Sequence, residues 1–151
     1  MTTDAYPGFY IYQRIVQSKL FIDRHFADPI NLDDIADEAL FSKFHFIRLF
    51  KKTYGKTPHQ YLTHVRIEKA KELLQSAILV TEVCGEVGFD SITSFTDLFK
   101  RRVGETPSTY QSRQQALRKD IAKTPLKYIP NCFVTQYGWT KAHHSQHEDV
   151  N

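Results

Sequence analysis

The chain has 151 residues, 41% of them hydrophobic, and a formal net charge of +3, enough for one large domain or two small subdomains with ordinary cores. Its apolar runs are only a few residues long, and Asp4, Arg14, Lys19, Asp23 and Arg24 fall within the first thirty residues, so neither a membrane span nor a signal peptide is expected. Cys84 and Cys132 form no CxxC pair, so neither a disulfide framework nor a thiolate zinc site is expected.

Residues 1–9 have no periodicity and read as a flexible start. Ile11, Ile15, Leu20, Ile22 and Phe26 then mark an amphipathic helix, stopped at Asp28-Pro29 because the residue before proline avoids the helical region. Asn31 is a good N-cap for a short helix burying Leu32, Ile35, Ala36 and Ala39, and Ser42 caps the next. From Lys43 the pattern has two faces: Phe46, Leu49 and Phe50 at i, i+3, i+4 point inward, continued by Thr53 and Tyr54, while Lys43, Phe44, Ile47, Arg48 and Lys51 point outward. Gly55 ends that helix, Thr57 caps a new one and Pro58 takes its first position. This longer helix is predicted to run to about Leu74 or Gln75, burying Tyr61, Leu62, Val65, Ile67, Leu73 and Leu74.

The next unit begins at Leu79, whose side chain offers no acceptor, so its helix start either frays or is capped from elsewhere. Gly88-Phe89 forms a turn, Ser91 caps, and Ile92 to Val103 repeats the two-faced pattern, with Phe95, Leu98 and Phe99 inward and Ile92, Thr93, Thr96, Asp97 and Lys100 outward. Gly104 ends it, and Thr106-Pro107 opens a last helix through about Arg118. The sequence thus states one pattern twice: Val83 follows Ile35 by 48 residues and Phe95 follows Phe46 by 49. Each copy is a short helix, a tight turn and a longer helix ending at glycine. Cys84 stands where the first copy has Ala36 and reads as a small core residue.

The expected architecture is all-α. A first helix-turn-helix subdomain (10–56) and a second (77–120) are joined by a long linker helix (57–76), seven helices in all. A C-terminal extension (121–151) is expected to be non-helical, its apolar middle folding back as a short strand or hairpin and its polar end disordered.

Acidic residues dominate from Asp23 to Glu38. Lys43, Arg48, Lys51, Lys52, Lys56, Arg66, Lys69 and Lys71 follow, with only Glu68 among them. Acids return at Glu72, Glu82, Glu86, Asp90 and Asp97, and Lys100, Arg101, Arg102, Arg113, Arg118 and Lys119 close the repeat. Positive charge therefore recurs on or just after the second helix of each unit, where a polyanion would lie. A helix-turn-helix places its second helix in the major groove. Two such helices on one chain, held apart by a helix of roughly 27 Å, approach the roughly 34 Å between successive major-groove faces.

The elements Ile35-Ala36, Ser42 and Phe46-Ile47-Arg48-Leu49-Phe50-Lys51, with Val87-Gly88-Phe89, Phe95, Phe99-Lys100, Gly104, Thr106-Pro107 and Tyr110, resemble the DNA-binding domain of the AraC/XylS family of bacterial transcriptional regulators. The match covers about Ile11 to Arg118. It implies two motifs entering adjacent major grooves on one side of bent DNA, with Phe44, Ile47, Arg48, Ile92, Thr93 and Asp97 at base-reading positions. Lys43 and Thr96 share those outward faces. Ser42, His45, Lys51, Lys52, Ser91, Lys100, Arg101 and Arg102 are the phosphate candidates. Asp97 stands where the family commonly has arginine; an acid suits a cytosine amino group and not phosphate or guanine. The resemblance further implies a small free-standing regulator, bound to double-stranded DNA as a monomer, working with RNA polymerase in the bacterial cytoplasm at the nucleoid.

The rival class is a helical protein-interaction module without DNA binding; two copies are few for a solenoid, and such repeats have no reason to gather cations on alternate helices. No Gly-rich phosphate loop, paired catalytic carboxylates or activated nucleophile argues for an enzyme, and no cofactor is implied. His143, His144 and His147 with Cys132 could meet a metal, but tail histidines read as solvated, and no metal site is expected. Trp139 either anchors the tail or serves a partner.

Overall fold

Ser42, Thr57, Ser91 and Thr106 each stand one residue before a helix with extended backbone angles, and with the glycines they divide the chain. The structure, a computed structural model, describes residues 7–39 and 42–138. In chain order the helices are α1 (Pro7–His25), α2 (Leu32–Ala39), α3 (Lys43–Tyr54), α4 (Pro58–Leu73), α5 (Val80–Glu86), α6 (Ile92–Val103), α7 (Pro107–Lys123), a 3-10 turn (Pro125–Tyr128) and α8 (Asn131–Gln136). Among the described residues every regular element is helical, as the all-α reading requires.

Helix α1 already includes residues 7–9, which the sequence assigned to a loose start. Asn31 caps α2 through its side-chain oxygen, which accepts from the Asp33 and Asp34 amides. Thr57 closes a full capping box with Gln60, whereas Thr106 accepts from the Thr109 amide without the reciprocal half. Ser42 makes no side-chain cap bond. At Leu79 the helix is capped from elsewhere: Glu82 reaches back to accept from the Leu79 amide at 3.3 Å. Gly55 and Gly104 take φ of 71° and 93° and end α3 and α6 by donating to Lys51 and Lys100 carbonyls, a conformation that glycine adopts without Cβ strain.

The core divides in two. Ile15, Ile22, Ile35, Ala36, Phe46, Phe50 and Leu62 form the first cluster; Ile67, Ala70, Leu74, Val83, Cys84, Val87, Phe95, Phe99 and Tyr110 form the second. Ala36 and Cys84 are both buried, in corresponding places. One three-ring arrangement recurs in both cores. Phe46–Phe50 and Phe50–Tyr61 centroids lie 5.6 and 5.7 Å apart, and Phe95–Phe99 and Phe99–Tyr110 lie 5.7 and 5.6 Å apart, each in the edge-on geometry that aromatic quadrupoles favour.

The structural repeat is larger than the sequence repeat. Ile15, Ser18 and Ile22 on α1 and Ile67, Ala70 and Leu74 at the end of α4 are buried at the same i, i+3, i+7 spacing. Helix α4 therefore closes the first unit with Tyr61 and Leu62 and opens the second with Ile67 to Leu74. At 16 residues it spans about 24 Å.

The C-terminal extension corrects an expectation. Residues 121–138 contain no strand or hairpin: α7 continues to Lys123, and the 3-10 turn and α8 follow. Phe133 and Tyr137 stack one helical turn apart at 4.7 Å, and Val134 is buried. Their i, i+1, i+4 spacing suits a helix face, which outweighs their β propensity. Asp120 fastens the turn by accepting from Tyr128, Lys127 and Thr124; these bonds, Tyr128's first, lower its pKa to about 2. Trp139, His143, His144 and His147 lie outside the described residues, as do residues 1–6 of the N-terminal segment.

Candidate nucleic-acid interface

Helices α3 and α6 each bury one stripe, Phe46 and Phe50 or Phe95 and Phe99, and so present the opposite face outward. On α3, Ser42, Lys43, Phe44, His45, Arg48, Lys51 and Lys52 are exposed and Ile47 is half-buried. On α6, Ser91, Ile92, Thr93, Asp97, Lys100, Arg101 and Arg102 are exposed and Thr96 is half-buried. In the 49-residue register, Arg48 matches Asp97, Phe44 matches Thr93, Lys51 matches Lys100 and Lys52 matches Arg101. Phe44 is 84% exposed, which leaves a full aromatic ring in solvent on a face that Ile47, half-buried, shares with cations.

The predicted cations separate into two sets. Arg48, Lys51, Lys52, Lys100 and Arg101 have no ion pair among the described residues. Lys43 is held by Asp33 of α2 at 2.8 Å, across the helix-turn-helix. Lys69 pairs with Glu72 and Lys71 with Glu68, while Arg113 pairs with Glu105. The long basic run of the sequence is therefore interrupted, and its free charge concentrates on α3 and at the end of α6.

Two further features were not legible as site features. Arg102 leaves the outward face of α6 and, with Lys56, His64 and Lys71, lines a cleft of about 380 Å³ beside α4 that also contains Glu68. Arg66, counted with the surface cations in the sequence, is half-buried: its Nε donates to the Phe26 carbonyl at 2.7 Å and its Nη2 to the Asp28 carbonyl at 2.9 Å. Burial lowers the guanidinium pKa from its ordinary value, and Asp90 opposes that shift. No local spacing marks it as turned inward, since the carbonyls that hold it lie 40 and 38 residues away in sequence.

No helix among the described residues is long and apolar enough to cross a membrane, and no cluster of three His, Cys, Asp or Glu side chains among them could hold a metal. Cys84 is buried and Cys132 exposed.

Comparison with known proteins agrees with this geometry. Residues 35–113 match a family described as a helix-turn-helix domain. The chain is 33% identical over 92 residues to the probable transcriptional regulator LumQ of Photobacterium leiognathi, covering 60% of this chain and 37% of that protein. It is 35% identical over 88 residues to the HTH-type transcriptional activator RhaS of Escherichia coli O1:K1, covering 58% of this chain and 32% of that protein. The match thus spans about a third of each relative's length. Among solved structures, the DNA-binding domain of the global transcriptional factor AdpA, in complex with a target DNA, aligns with a TM-score of 0.67 at 28% identity, over 70% of this chain and 96% of that one.

Proposed function

Since the chain belongs to the AraC/XylS family of helix-turn-helix DNA-binding domains, we propose that it acts as a sequence-specific transcriptional regulator on double-stranded DNA, inserting α3 and α6 into adjacent major grooves. The observation that carries this reading is the duplicated scaffold. The same three-ring stack supports both helices, and each helix carries cations with no ion pair among the described residues at the same two register positions, Lys51 and Lys52 or Lys100 and Arg101. A protein-interaction module would have no need to repeat those charges.

In this reading Arg48 reads guanine, with Phe44 and Ile47 in apolar contact with thymine methyls and Lys43 released from Asp33 when it meets DNA. Ile92, Thr93, Thr96 and Asp97 face the second groove. Ser42, His45, Lys51, Lys52, Ser91, Lys100 and Arg101 meet phosphates, which position the helices without reading sequence. Arg102 belongs with them only if its cleft faces the duplex. The chain binds as a monomer, since both motifs lie on one polypeptide, and meets RNA polymerase at the promoter in the bacterial cytoplasm. The reading assigns it no catalytic step.

The test is selection of bound duplexes from a random pool, followed by affinity against salt. With roughly four to seven phosphates neutralised, log affinity falls against log salt with a slope of about −0.9 per contact. No enriched sequence and a slope near zero would sink the proposal.

A further inference from the structure

The turn between α1 and α2 touches both halves of the molecule. The Phe26 ring packs against the first core and the second at once. Its carbonyl, an orphan acceptor at the end of α1, accepts a hydrogen bond from Arg66 Nε–H, and the Asp28 carbonyl accepts one from Nη2. From the other side comes the turn between α5 and α6. The Phe89 ring lies 5.5 Å from the same guanidinium, and Gly88 passes so close to Ala27 that an added Cβ would lie 2.7 Å from its carbonyl oxygen. One arginine on the shared helix thus joins the first unit to the turn that aims the second reading helix. The planar guanidinium donates from two of its nitrogens to the two carbonyls in a fixed geometry that the compact ammonium of lysine does not reproduce. The contacts are 38 and 40 residues apart in sequence, so they fix tertiary geometry and not the helices themselves.

We propose that Arg66, with the close approach of Gly88 to Ala27, is the positioning residue that sets the angle and separation of α3 and α6, and thereby the half-site spacing the chain accepts. The first part concerns the protein alone; the second rests on the DNA-binding reading above.

The experiment places spin labels at Lys52→Cys and Arg101→Cys, equivalent positions on the two reading helices. The background carries Cys132→Ser and Cys84→Ala, the latter giving Cys84 the residue of its counterpart Ala36. The distance distribution between labels should be narrow with Arg66 and clearly broader with Arg66→Gln, while helical circular dichroism stays unchanged. Arg66→Lys, which keeps charge and stem, is measured in the same way, so a variant that loses helix leaves the other to decide. Unchanged distributions in a folded variant would overturn the proposal. Loss of helix in both would also overturn it, making the junction part of the folding core. On the selected duplex, one base pair inserted between half-sites turns them by about 34° and should weaken the native chain by about tenfold or more, and Arg66→Gln by less than about threefold. Equal penalties with a broadened distribution would separate the two parts, retaining the rigid junction and refuting its control of spacing.

Discussion

Arg48 on α3 and Asp97 on α6 occupy the same place on the same scaffold, behind the same three-ring stack. One is a cation suited to guanine O6 and N7; the other is an anion that repels phosphate and can accept from a base amino group such as that of cytosine. Around them the contrast continues, with Lys43 and Phe44 in the first unit against Ile92 and Thr93 in the second. At the end of each helix it disappears: Lys51 and Lys52 face Lys100 and Arg101. The lesson is a division of labour along each helix. The inner stripe is duplicated because packing a helix-turn-helix is the same task twice; under the proposed DNA-binding reading the last turns would both meet phosphate and the outward faces would meet different bases.

The largest effects should be alike in the two units. Phe50→Ala and Phe99→Ala each remove the middle ring of a stack, fully buried in both cases, and each should cost about 3–5 kcal/mol in chemical denaturation. A difference of more than about 2 kcal/mol would show that the cores are not equivalent supports.

Binding should then break the symmetry. Arg48→Ala is expected to cost about 1–3 kcal/mol on the selected duplex and less on unrelated DNA. Asp97→Arg is expected to tighten binding and add a guanine preference in the second half-site, both read by gel shift. If Asp97→Arg weakens binding to the selected duplex, Asp97 makes a specific contact and the two units share the reading equally.

Glycine substitutions sharpen the comparison at smaller scale. Gly55 and Gly104 have open space where a Cβ would stand, so alanine meets only the positive-φ strain, about 1 kcal/mol at each, visible as similar shifts in melting temperature. Gly88 has the same strain and a backbone clash besides, so Gly88→Ala should exceed both. The smallest difference lies at the caps. Thr57→Ala and Thr106→Ala should each cost about 1 kcal/mol, Thr57→Ala slightly more because the Gln60 half of its box loses its partner geometry. Equal melting shifts would show that the two halves of the box act independently.

The duplicated motif, both inward stripes except for Thr53, which is exposed, three of the four Ser/Thr caps and the glycine ends of α3 and α6 were legible because each depends on residues within one or two helical turns. Phe46 and Phe50 cannot avoid a common face, and Gly55 supplies the positive φ that a tight helix end takes most readily. The C-terminal extension departs from the strand or hairpin expectation because Cys132, Phe133, Val134 and Tyr137 satisfy strand and helix preferences alike; the helix is the state in which Val134 is buried, after a 3-10 turn that Asp120 braces.

What the sequence determined by itself is therefore the pair of helix-turn-helix units and the charge at the ends of their reading helices, since amphipathic periodicity and capping are local. The tertiary structure alone decided that Lys43 is paired to Asp33, that α4 belongs to both cores, and that Arg66 faces the α1–α2 turn and not solvent. A charged side chain on a helix flank has no local preference between water and a carbonyl held out by another segment. Its role is set by what chain folding brings within 3 Å of it, from 38 and 40 residues away for Arg66, and no spacing along the sequence records that.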